Sequence, residues 1–203
     1  MNTLLIFGAG GHGRVVADAA LCSGQWQTVA ASDRDRARCQ GQLIAGVNLI
    51  ASDQALVSAQ CIHVAIGNAA AREKESASLP ADKLATVIHP RASVSAQASV
   101  AAGCFIAAQA VVAPMARLGR AVIVNHGAVV DHDVIVGDFS HIAPLAALGG
   151  AVRIGQRVLI GSGASVLPGI RIGDDVTVGA GSVVCSDLPD AGVYAGVPAR
   201  RLK

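Results

Sequence analysis

Residues 121–150 read AVIVNHGAVVDHDVIVGDFSHIAPLAALGG, within a longer stretch in which every sixth residue is Ile, Leu or Val. This period fits neither the ~3.6 residues of a helical turn nor the alternation of an antiparallel strand, and it is typical of a β-helix. We therefore predict an all-β domain here, a parallel β-helix of hexapeptide repeats. The aliphatic positions are Ile88, Val94, Val100, Ile106, Val112, Leu118, Val124, Val130, Val136, Ile142, Leu148, Ile154, Ile160, Val166, Ile172, Val178 and Val184.

The residues around these aliphatic positions describe one coil of the predicted β-helix. Each hexapeptide makes one short strand and one corner, so about 18 residues wind once around a triangular prism. The residue two places before the aliphatic one also points inward, because side chains alternate along a strand. It is mostly small: Ala92, Ala98, Cys104, Ala110, Ala116, Ala128, Ser140, Ala146, Ala164 and Ser182. Glycine often follows the aliphatic residue, and we expect positive φ there: Gly119, Gly137, Gly149, Gly155, Gly161, Gly173 and Gly179.

The composition favours a compact cytoplasmic protein. Of 203 residues, 52% are hydrophobic and 15% charged, and the apolar residues are dispersed, so we expect no membrane insertion. A net charge of +2 and an aromatic content of 2% argue against nucleic acid as a partner. The five cysteines are scattered without a CxxC motif, which is typical of reduced thiols, and the N-terminus shows no signal-peptide pattern.

A different pattern precedes Ile88. The sequence predicts strands over 3–7, 28–32 and 61–66 and a helix over 13–22, which is the βαβ order of a small parallel sheet. We therefore expect two domains. Residues 1–85 form an α/β half-Rossmann domain, and residues 86–203 form the β-helix with a C-terminal cap.

A glycine-rich turn joins the first predicted strand to the helix. Gly8-Ala9-Gly10-Gly11-His12-Gly13 has the G-x-G-x-x-G spacing that brings backbone N–H groups to a phosphate, and Asp33 follows where an acid reaches a ribose hydroxyl. Gly67 and Asn68 follow the third strand at the ligand edge of the sheet. The domain lacks a second mononucleotide-binding half, so we expect a nucleotide diphosphate attached to something other than nicotinamide. Two alternatives stay open: the glycines only allow close packing, and His12 is only a solvated turn residue.

Polar residues interrupt the apolar pattern between positions 125 and 141: Asn125, His126, Asp131, His132, Asp133 and His141. His132 stands at a corner and points outward, and its two flanking aspartates would raise its basicity and orient its ring to accept a proton. Eighteen residues further on, in the pair Gly149-Gly150, the N–H of Gly150 is placed to stabilise an oxyanion. Zinc bound by the three histidines is the competing interpretation, but their spacing puts them on different faces of the prism.

Three segments together carry a resemblance to a known family: the hexapeptide run from Val94 to Val184, the ending GVYAGVPAR over 192–200, and FGAGGHG over 7–13. They resemble the bacterial left-handed β-helix acyltransferases that act on sugar nucleotides, nearest to the sialic-acid O-acetyltransferase-like proteins and the UDP-amino-sugar N-acetyltransferases. The resemblance covers essentially the whole chain. It implies a left-handed β-helix, a homotrimer with active sites between neighbouring β-helices, acetyl-CoA along each interface, and an N-terminal domain that holds the nucleotide.

The resemblance also implies roles for single residues. A histidine followed by an acidic residue is the general base of the family, and His132-Asp133 matches it, although Glu is frequent at the second position and Asp131 is an alternative partner for the ring. His141 matches a second histidine near the thioester and the acceptor sugar. Asn125 matches a polar residue near the base, and Gly150, beside Gly149, matches the position whose N–H faces the acetyl carbonyl.

The expected function is therefore transfer of acetyl from acetyl-CoA to the 4-amino group of a nucleotide-linked amino-deoxy sugar, with UDP as the nucleotide, for surface glycan or glycoprotein biosynthesis. His132 acts as base and no metal takes part. Three alternatives remain: O-acetylation of a sialic-acid-type sugar, a γ-carbonic-anhydrase-like zinc enzyme, and a non-catalytic nucleotide-binding scaffold. The tail over 198–203 either caps the last coil or contacts the phosphates of coenzyme A.

Overall fold

The computed structural model describes residues 3–51, 55–56 and 59–202. It divides the chain into two compact units, residues 1–90 and 91–203. The change of sequence period at 85/86 lies a few residues before this division. Lys203, the last residue of the predicted tail, lies outside the described residues.

The first unit contains a mixed sheet whose strands lie in the order β3 (Gln42–Ile44), β4 (Val47–Leu49), β2 (Thr28–Ser32), β1 (Thr3–Phe7) and β5 (Cys61–Val64). Strands β1, β2 and β5 are parallel neighbours, β4 joins β2 in parallel, and β3 is antiparallel to β4. The expected βαβ order is confirmed. The described elements are β1 (Thr3–Phe7), α1 (Gly11–Ser23), β2 (Thr28–Ser32), a 3-10 turn (Arg36–Arg38), β3 (Gln42–Ile44), β4 (Val47–Leu49), β5 (Cys61–Val64), α2 (Ala69–Ala77), a second 3-10 turn (Ala81–Lys83) and β6 (Val87–Ile88).

Local chemistry sets the ends of helices α1 and α2. Helix α1 begins at Gly11 rather than at the expected Gly13, and it stops at Gly24, whose φ of 63° is the left-handed conformation that commonly ends a helix. Helix α2 begins after Asn68, whose side-chain oxygen accepts a hydrogen bond from the Ala71 N–H at 2.9 Å. Such a cap contributes about 1 kcal/mol to stability.

The second unit is a parallel β-helix, as predicted. Each strand pairs in parallel with the strand one coil later, so that Val111 lies beside Val129 and Val129 beside Ala147. The strands form three sheets. They are β7 (Ser93–Val94), β8 (Ser99–Val100), β9 (Phe105–Ile106), β10 (Val111–Val112), β11 (Arg117–Leu118), β12 (Ile123–Val124), β13 (Val129–Val130), β14 (Ile135–Val136), β15 (His141–Ile142), β16 (Ala147–Leu148), β17 (Arg153–Ile154), β18 (Leu159–Ile160), β19 (Ser165–Val166), β20 (Arg171–Ile172), β21 (Val176–Val178), β22 (Val183–Val184), β23 (Gly192–Ala195) and β24 (Arg200–Arg201).

The inside of the prism contains two side chains per strand, and the first of them is small in many strands but Val or Ile in others, such as Val122, Val134 and Ile170. From Ile106 onward the aliphatic positions are buried, and the small positions between them, such as Ala110, Ala128 and Ala146, have no exposed surface. Burial of each Val, Leu or Ile side chain contributes roughly 1.5–3 kcal/mol before the entropy of folding is counted. The buried polar group of Ser140 is satisfied, because its hydroxyl donates to the Gly155 carbonyl oxygen at 2.7 Å.

The glycines that follow the aliphatic residues do not have positive φ, so that expectation was wrong. The left-handed residues come two places later, for example Ala121, Phe139 and Ala151. Glycine is needed before them because neighbouring coils are too close for a side chain. A Cβ on Gly137 would lie 2.6 Å from the carbonyl carbon of Gly155, which is closer than real Cβ contacts come.

The C-terminal segment covers the end of the prism. Strand β23 pairs in parallel with β21, and β24 pairs antiparallel with β23. The described part of the tail therefore adds an edge strand to this sheet, and its arginines lie on that strand, where charge discourages pairing with another chain. Among the described residues, no helix has the length and apolar character needed to cross a membrane.

Candidate active site

His132 lies at an exposed corner between β13 and β14. Its Nδ1 atom is 2.8 Å from Oδ2 of Asp133, while its backbone N–H donates to Oδ1 of Asp131 at 2.7 Å. Of the two aspartates, Asp133 therefore binds the ring of His132, and Asp131 binds the backbone N–H of His132. Asp133 has a φ of 60°, a left-handed conformation that aspartate tolerates better than most residues.

These two carboxylates also set the charge of the ring. The hydrogen bond that the ring donates to Asp133, followed by the negative charge of Asp131, raises the pKa of His132 above its ordinary value. Because Asp133 accepts the Nδ1 proton, the neutral ring carries its lone pair on Nε2. His132 is therefore oriented to accept a proton through Nε2 near neutral pH.

Gly150 lies directly beneath the ring of His132, one coil further on. A Cβ on Gly150 would lie 2.6 Å from both Nε2 and Cε1, so a larger residue would displace the ring. The coils are joined at this point, because the Ala151 N–H donates to the carbonyl oxygen of His132 at 2.9 Å. The predicted stacking of these two residues is present in the structure.

The N–H of Gly150 is available for a ligand. Along this corner the equivalent residues are Pro114, His132, Gly150 and Pro168. The prolines have no N–H, and that of His132 is bonded to Asp131. Within the described part of the chain, the Gly150 N–H has no hydrogen-bond acceptor. A preorganised backbone donor beside a base is the arrangement that stabilises an oxyanion.

Asn125 and His141 form a second polar cluster on a different sheet of the prism. Strand β15, which begins with His141, lies beside β12, and Asn125 directly follows β12. The Nδ2 atom of Asn125 is 3.1 Å from Nε2 of His141. The Oδ1 atom of Asn125 accepts from the backbone N–H of His126 at 2.9 Å. The structure thus brings together two of the predicted site residues, Asn125 and His141.

The described side chains that could bind a metal ion together lie in the first unit. Among the described residues, one set of three has ligand atoms within 4.8 Å of one another, and it consists of Asp18, Cys22 and His89 in the first unit. The three histidines of the predicted zinc alternative, His126, His132 and His141, do not form such a set in the described structure.

The glycine-rich turn lines a cavity of about 350 Å³ in the first unit. Of the residues predicted for nucleotide binding, the cavity wall includes Gly8, Gly10, Gly11, His12, Asp33 and Gly67. Gly8 has a φ of 122°, and a Cβ there would lie 2.7 Å from the carbonyl oxygen of Ala65. The backbone of the turn therefore forms the wall itself.

Two other predicted residues have structural contacts. A Cβ on Gly13 would collide with the carbonyl oxygen of Gly8, so Gly13 allows helix α1 to pack against the turn. Asn68 caps helix α2 and does not line the cavity. Asp33 joins the turn to the end of β2, because its Oδ2 atom accepts from the Ala9 N–H at 2.8 Å.

Helix α1 points its N-terminus at this cavity. Gly10 is the cap residue, and no side chain caps the first turn, which also contains no acidic residue. The free N–H groups and the partial positive charge of a helix N-terminus favour a bound anion such as phosphate.

Three charged residues of the cavity were missed by the sequence analysis: Arg34, Arg38 and Glu75. Arg34 donates through Nη2 to Oε2 of Glu75 at 2.7 Å, and the Glu75 side chain is only 10% exposed. Arg38 lines this cavity and also a second one, of about 430 Å³, which shares Gly10 and Gly11 with the first. The signal was present in the charged run DRDRAR over 33–38 that follows β2.

Comparison with family models matches both parts of the chain. Residues 3–79 match the PglD N-terminal domain, and residues 151–186 match the bacterial transferase hexapeptide model of six repeats. A curated relative, the putative lipopolysaccharide biosynthesis O-acetyl transferase WbbJ of Escherichia coli K12, is 51% identical over 53 residues. That match covers 26% of this chain and 27% of WbbJ, so the chain spans about a quarter of the length of that relative.

Solved structures match over the whole length. The acetyltransferase domain of PglB from Neisseria gonorrhoeae FA1090, in complex with acetyl coenzyme A, is 38% identical with a TM-score of 0.93, and 99% of each chain is covered. PerB from Caulobacter crescentus, in complex with CoA and GDP-perosamine, is 36% identical with a TM-score of 0.91, and 100% of this chain and 98% of PerB are covered. This chain belongs to the bacterial left-handed β-helix sugar-nucleotide acetyltransferases that carry a PglD-type N-terminal domain.

Proposed function

We propose that this chain transfers the acetyl group of acetyl-CoA to the 4-amino group of a nucleoside-diphosphate-linked amino-deoxy sugar. The observation that carries the proposal is the stacking of a base, His132, on an available backbone donor, Gly150. Two structures that match over the whole length of this chain support it, since the acetyltransferase domain of PglB was solved with acetyl coenzyme A and PerB with CoA and GDP-perosamine. UDP is the nucleotide that the sequence resemblance favours.

The first step is attack by the sugar amine on the thioester carbonyl carbon. The Nε2 atom of His132 takes a proton from the amine as the new C–N bond forms, and Asp133 keeps the ring oriented through Nδ1. The imidazolium that results is stabilised by the two neighbouring carboxylates, which raise the pKa of His132. Positioned proton transfer of this kind contributes typically about 10²- to 10⁴-fold to the rate.

The second step is collapse of the tetrahedral intermediate. The carbonyl oxygen carries negative charge in that state, and the N–H of Gly150 donates to it. Loss of one such donor costs roughly 3–4 kcal/mol in enzymes where it has been removed. The carbon–sulfur bond then breaks, the thiolate of coenzyme A leaves, and the proton held by His132 is available to it.

The first unit supplies the binding energy for the nucleotide. In this proposal the diphosphate lies against the N–H groups of Gly10 and Gly11 at the start of helix α1, and a ribose hydroxyl donates to Asp33. Each carboxylate oxygen has two lone pairs, so the Oδ2 atom of Asp33 accepts from Ala9 and still has room for a hydroxyl. His141, Gly149 and Gly150 are assigned to acetyl-CoA, and Asn125 to the neighbourhood of the sugar.

The assembly and the cellular setting follow from the same resemblance. We place the active sites between neighbouring β-helices of a homotrimer in the cytoplasm, in the biosynthesis of a surface glycan or glycoprotein. No metal is assigned a role, because His132 supplies the base and Gly150 supplies the hydrogen-bond donor for the oxyanion. Gel filtration with light scattering tests the trimer, and a monomer with full activity would contradict it.

O-acetylation is the second candidate, because the curated relative WbbJ is described as a putative O-acetyl transferase. The same histidine would deprotonate a hydroxyl in place of an amine. The experiment that separates the two measures coenzyme A release with acetyl-CoA and a panel of UDP- and GDP-linked sugars, each in 4-amino and 4-hydroxy forms. Turnover of an amino form, with the acetyl group located on nitrogen by mass spectrometry, supports the proposal. Turnover of hydroxy forms alone rejects it.

A further inference from the structure

Helix α1 presents two metal-ligand side chains to the segment that follows β6. Asp18 and Cys22 are four residues apart on α1, so they lie on one face of the helix, and both are exposed. Helix α1 packs against β6, and His89 is the next residue after that strand. A carboxylate, a thiol and an imidazole are thereby brought together from two elements of the first unit.

The three side chains are close enough to share one ion. Each offers one ligand atom, and the carboxylate oxygen, the sulfur and the ring nitrogen all lie within 4.8 Å of one another. In a tetrahedral zinc site, bond lengths of about 2.0–2.3 Å place the ligand atoms roughly 3.3–3.8 Å apart. Rotation of the exposed Asp18 and Cys22 side chains is enough to close the remaining gap.

The backbone that carries these ligands is fixed without a metal ion. Val16, Ala17 and Ala20 of helix α1 are buried, so the helix is held by the face that does not carry Asp18 and Cys22. On β6, the Val87 side chain is only 1% exposed. Metal binding therefore has to order side chains alone, because both elements already have their places in the fold.

The ligand types select zinc among the common divalent ions. Mg²⁺ and Ca²⁺ take oxygen ligands, whereas a thiolate and an imidazole beside one carboxylate are ligands of Zn²⁺. Cys22 is a free thiol in the structure. On binding, its S–H proton leaves to solvent and the sulfur bonds to the ion. A water molecule completes the four-coordinate site.

His89 makes a further interaction in the structure, and the proposed site is compatible with it. An imidazole has two nitrogens, and the site uses one of them. A hydrogen bond within the ligand set is exchanged for bonds to the ion. A hydrogen bond from the other nitrogen orients the ring, as such bonds do in most histidine metal sites.

We propose that Asp18, Cys22 and His89 form a zinc site that ties the C-terminal half of helix α1 to the end of β6. The N-terminus of the same helix faces the nucleotide cavity, so the ion stabilises the element on which that cavity depends. None of the three ligands is among the described residues that line the cavity. The site takes no part in acetyl transfer, and the inference does not rest on the proposed function.

The test uses Co²⁺ as a spectroscopic substitute for zinc in the reduced, untagged full-length protein. We expect one equivalent of Co²⁺ per chain, with a thiolate-to-cobalt absorption band and the visible bands of a four-coordinate ion, and displacement by Zn²⁺. Cys22→Ser abolishes the thiolate band, and Asp18→Asn and His89→Gln weaken binding by about tenfold or more. Cys185→Ser, which removes another exposed thiol, leaves the spectrum and the affinity unchanged.

Thermal unfolding tests whether the ion ties the two elements together. Saturating Zn²⁺ should raise the unfolding temperature of the wild type by several degrees and leave that of Cys22→Ser unshifted, because an ion that binds the folded protein stabilises it. An unshifted wild type would reject the tie. The site itself is overturned by a lack of stoichiometric binding, by a cobalt spectrum without the thiolate band, or by wild-type affinity in a folded Cys22→Ser or His89→Gln.

Discussion

His132 and Gly150 face each other across one coil of the β-helix, so closely that a Cβ on Gly150 would lie 2.6 Å from Nε2 of the ring. The base and the backbone donor are thus parts of one stack. Their spacing is set by the parallel pairing of successive coils, as in the Val129 and Ala147 pair on the preceding strand. The pairing of the coils therefore fixes the backbone positions of the two residues.

Gly150→Ala tests this contact directly. The added methyl group displaces the ring of His132 from above the backbone N–H, so we expect kcat/KM to fall by about 10²- to 10⁴-fold, the contribution typical of a positioned base. The melting temperature should change little, because the collision is with an exposed side chain. Steady-state kinetics and thermal unfolding are measured on the same preparations.

Gly181→Ala is the matched control for that variant. Gly181 has a φ of 67°, and among the described residues nothing lies within 4 Å of a Cβ placed there. This change costs backbone strain of about 1–2 kcal/mol but leaves the site intact. Equal losses of activity in both variants would mean that the effect of Gly150→Ala is structural.

The dependence of kcat/KM on pH should follow the protonation of the His132 ring. The neutral ring is the active form, so the rate rises with pH through the pKa of His132. The hydrogen bond that the ring donates to Asp133 and the charge of Asp131 raise this pKa. Asp133→Asn removes the larger cause, and the rising limb of kcat/KM should move to lower pH while its plateau falls. Asp131→Asn keeps an oxygen for the His132 N–H and should shift the limb less. A limb that moves to higher pH in Asp133→Asn would contradict this assignment.

Arg38→Ala tests the nucleotide site. Arg38 lines both cavities that Gly10 and Gly11 line, and its contact with Asp35 is long, 3.6 Å, and exposed. Such a pair contributes little, so the guanidinium is free to turn to a phosphate. We expect the affinity for UDP or GDP to fall about tenfold or more, with uridine or guanosine unaffected, as measured by calorimetry.

Arg36→Ala, in the same 3-10 turn but outside the cavity lining, controls for the loss of one positive charge. Equal weakening by the two variants would remove Arg38 from the site. Equal loss of nucleoside and nucleotide binding in Arg38→Ala would point to a disturbed fold instead of a missing phosphate contact.

Gly137→Ala tests the role assigned to the glycines that follow the aliphatic residues. The Cβ would lie 2.6 Å from the carbonyl carbon of Gly155, so neighbouring coils must separate. We expect destabilisation of about 1–3 kcal/mol in urea unfolding, as for other overpacked sites. Gly163→Ala is the comparison, because its φ is 67° and a Cβ there meets nothing within 4 Å among the described residues. A larger loss of stability in Gly163→Ala than in Gly137→Ala would indicate that positive φ, and not the close spacing of the coils, is the main reason for glycine.

The sequence predicts the fold well, because a hydrophobic period of six residues that continues over so many coils is compatible with one architecture, the parallel β-helix. It also predicts the His132 and Gly150 contact, because a fixed coil length turns a difference in residue number into a neighbour in space. It did not locate the positive φ angles, since those depend on the corner geometry two residues beyond each glycine, at Phe139 and not at Gly137.

Some residues of the nucleotide cavity cannot be predicted from their spacing in the sequence. Arg34 and Glu75 are far apart in the chain, and only the tertiary packing of β2 and α2 brings them to 2.7 Å. No repeat relates them, so no spacing rule finds the pair. The partner of the His132 ring was likewise undecided in the sequence, because Asp131 and Asp133 flank it symmetrically and only the corner conformation separates them.

The most direct measurement is the rate of coenzyme A release from acetyl-CoA and a nucleotide-linked 4-amino sugar by wild type, His132→Ala and His126→Ala. His126 is an exposed histidine at the preceding corner, and the mechanism uses only its backbone N–H. The account predicts a loss of about 10²- to 10⁴-fold in kcat for His132→Ala and wild-type turnover for His126→Ala. Wild-type turnover by a folded His132→Ala would contradict it.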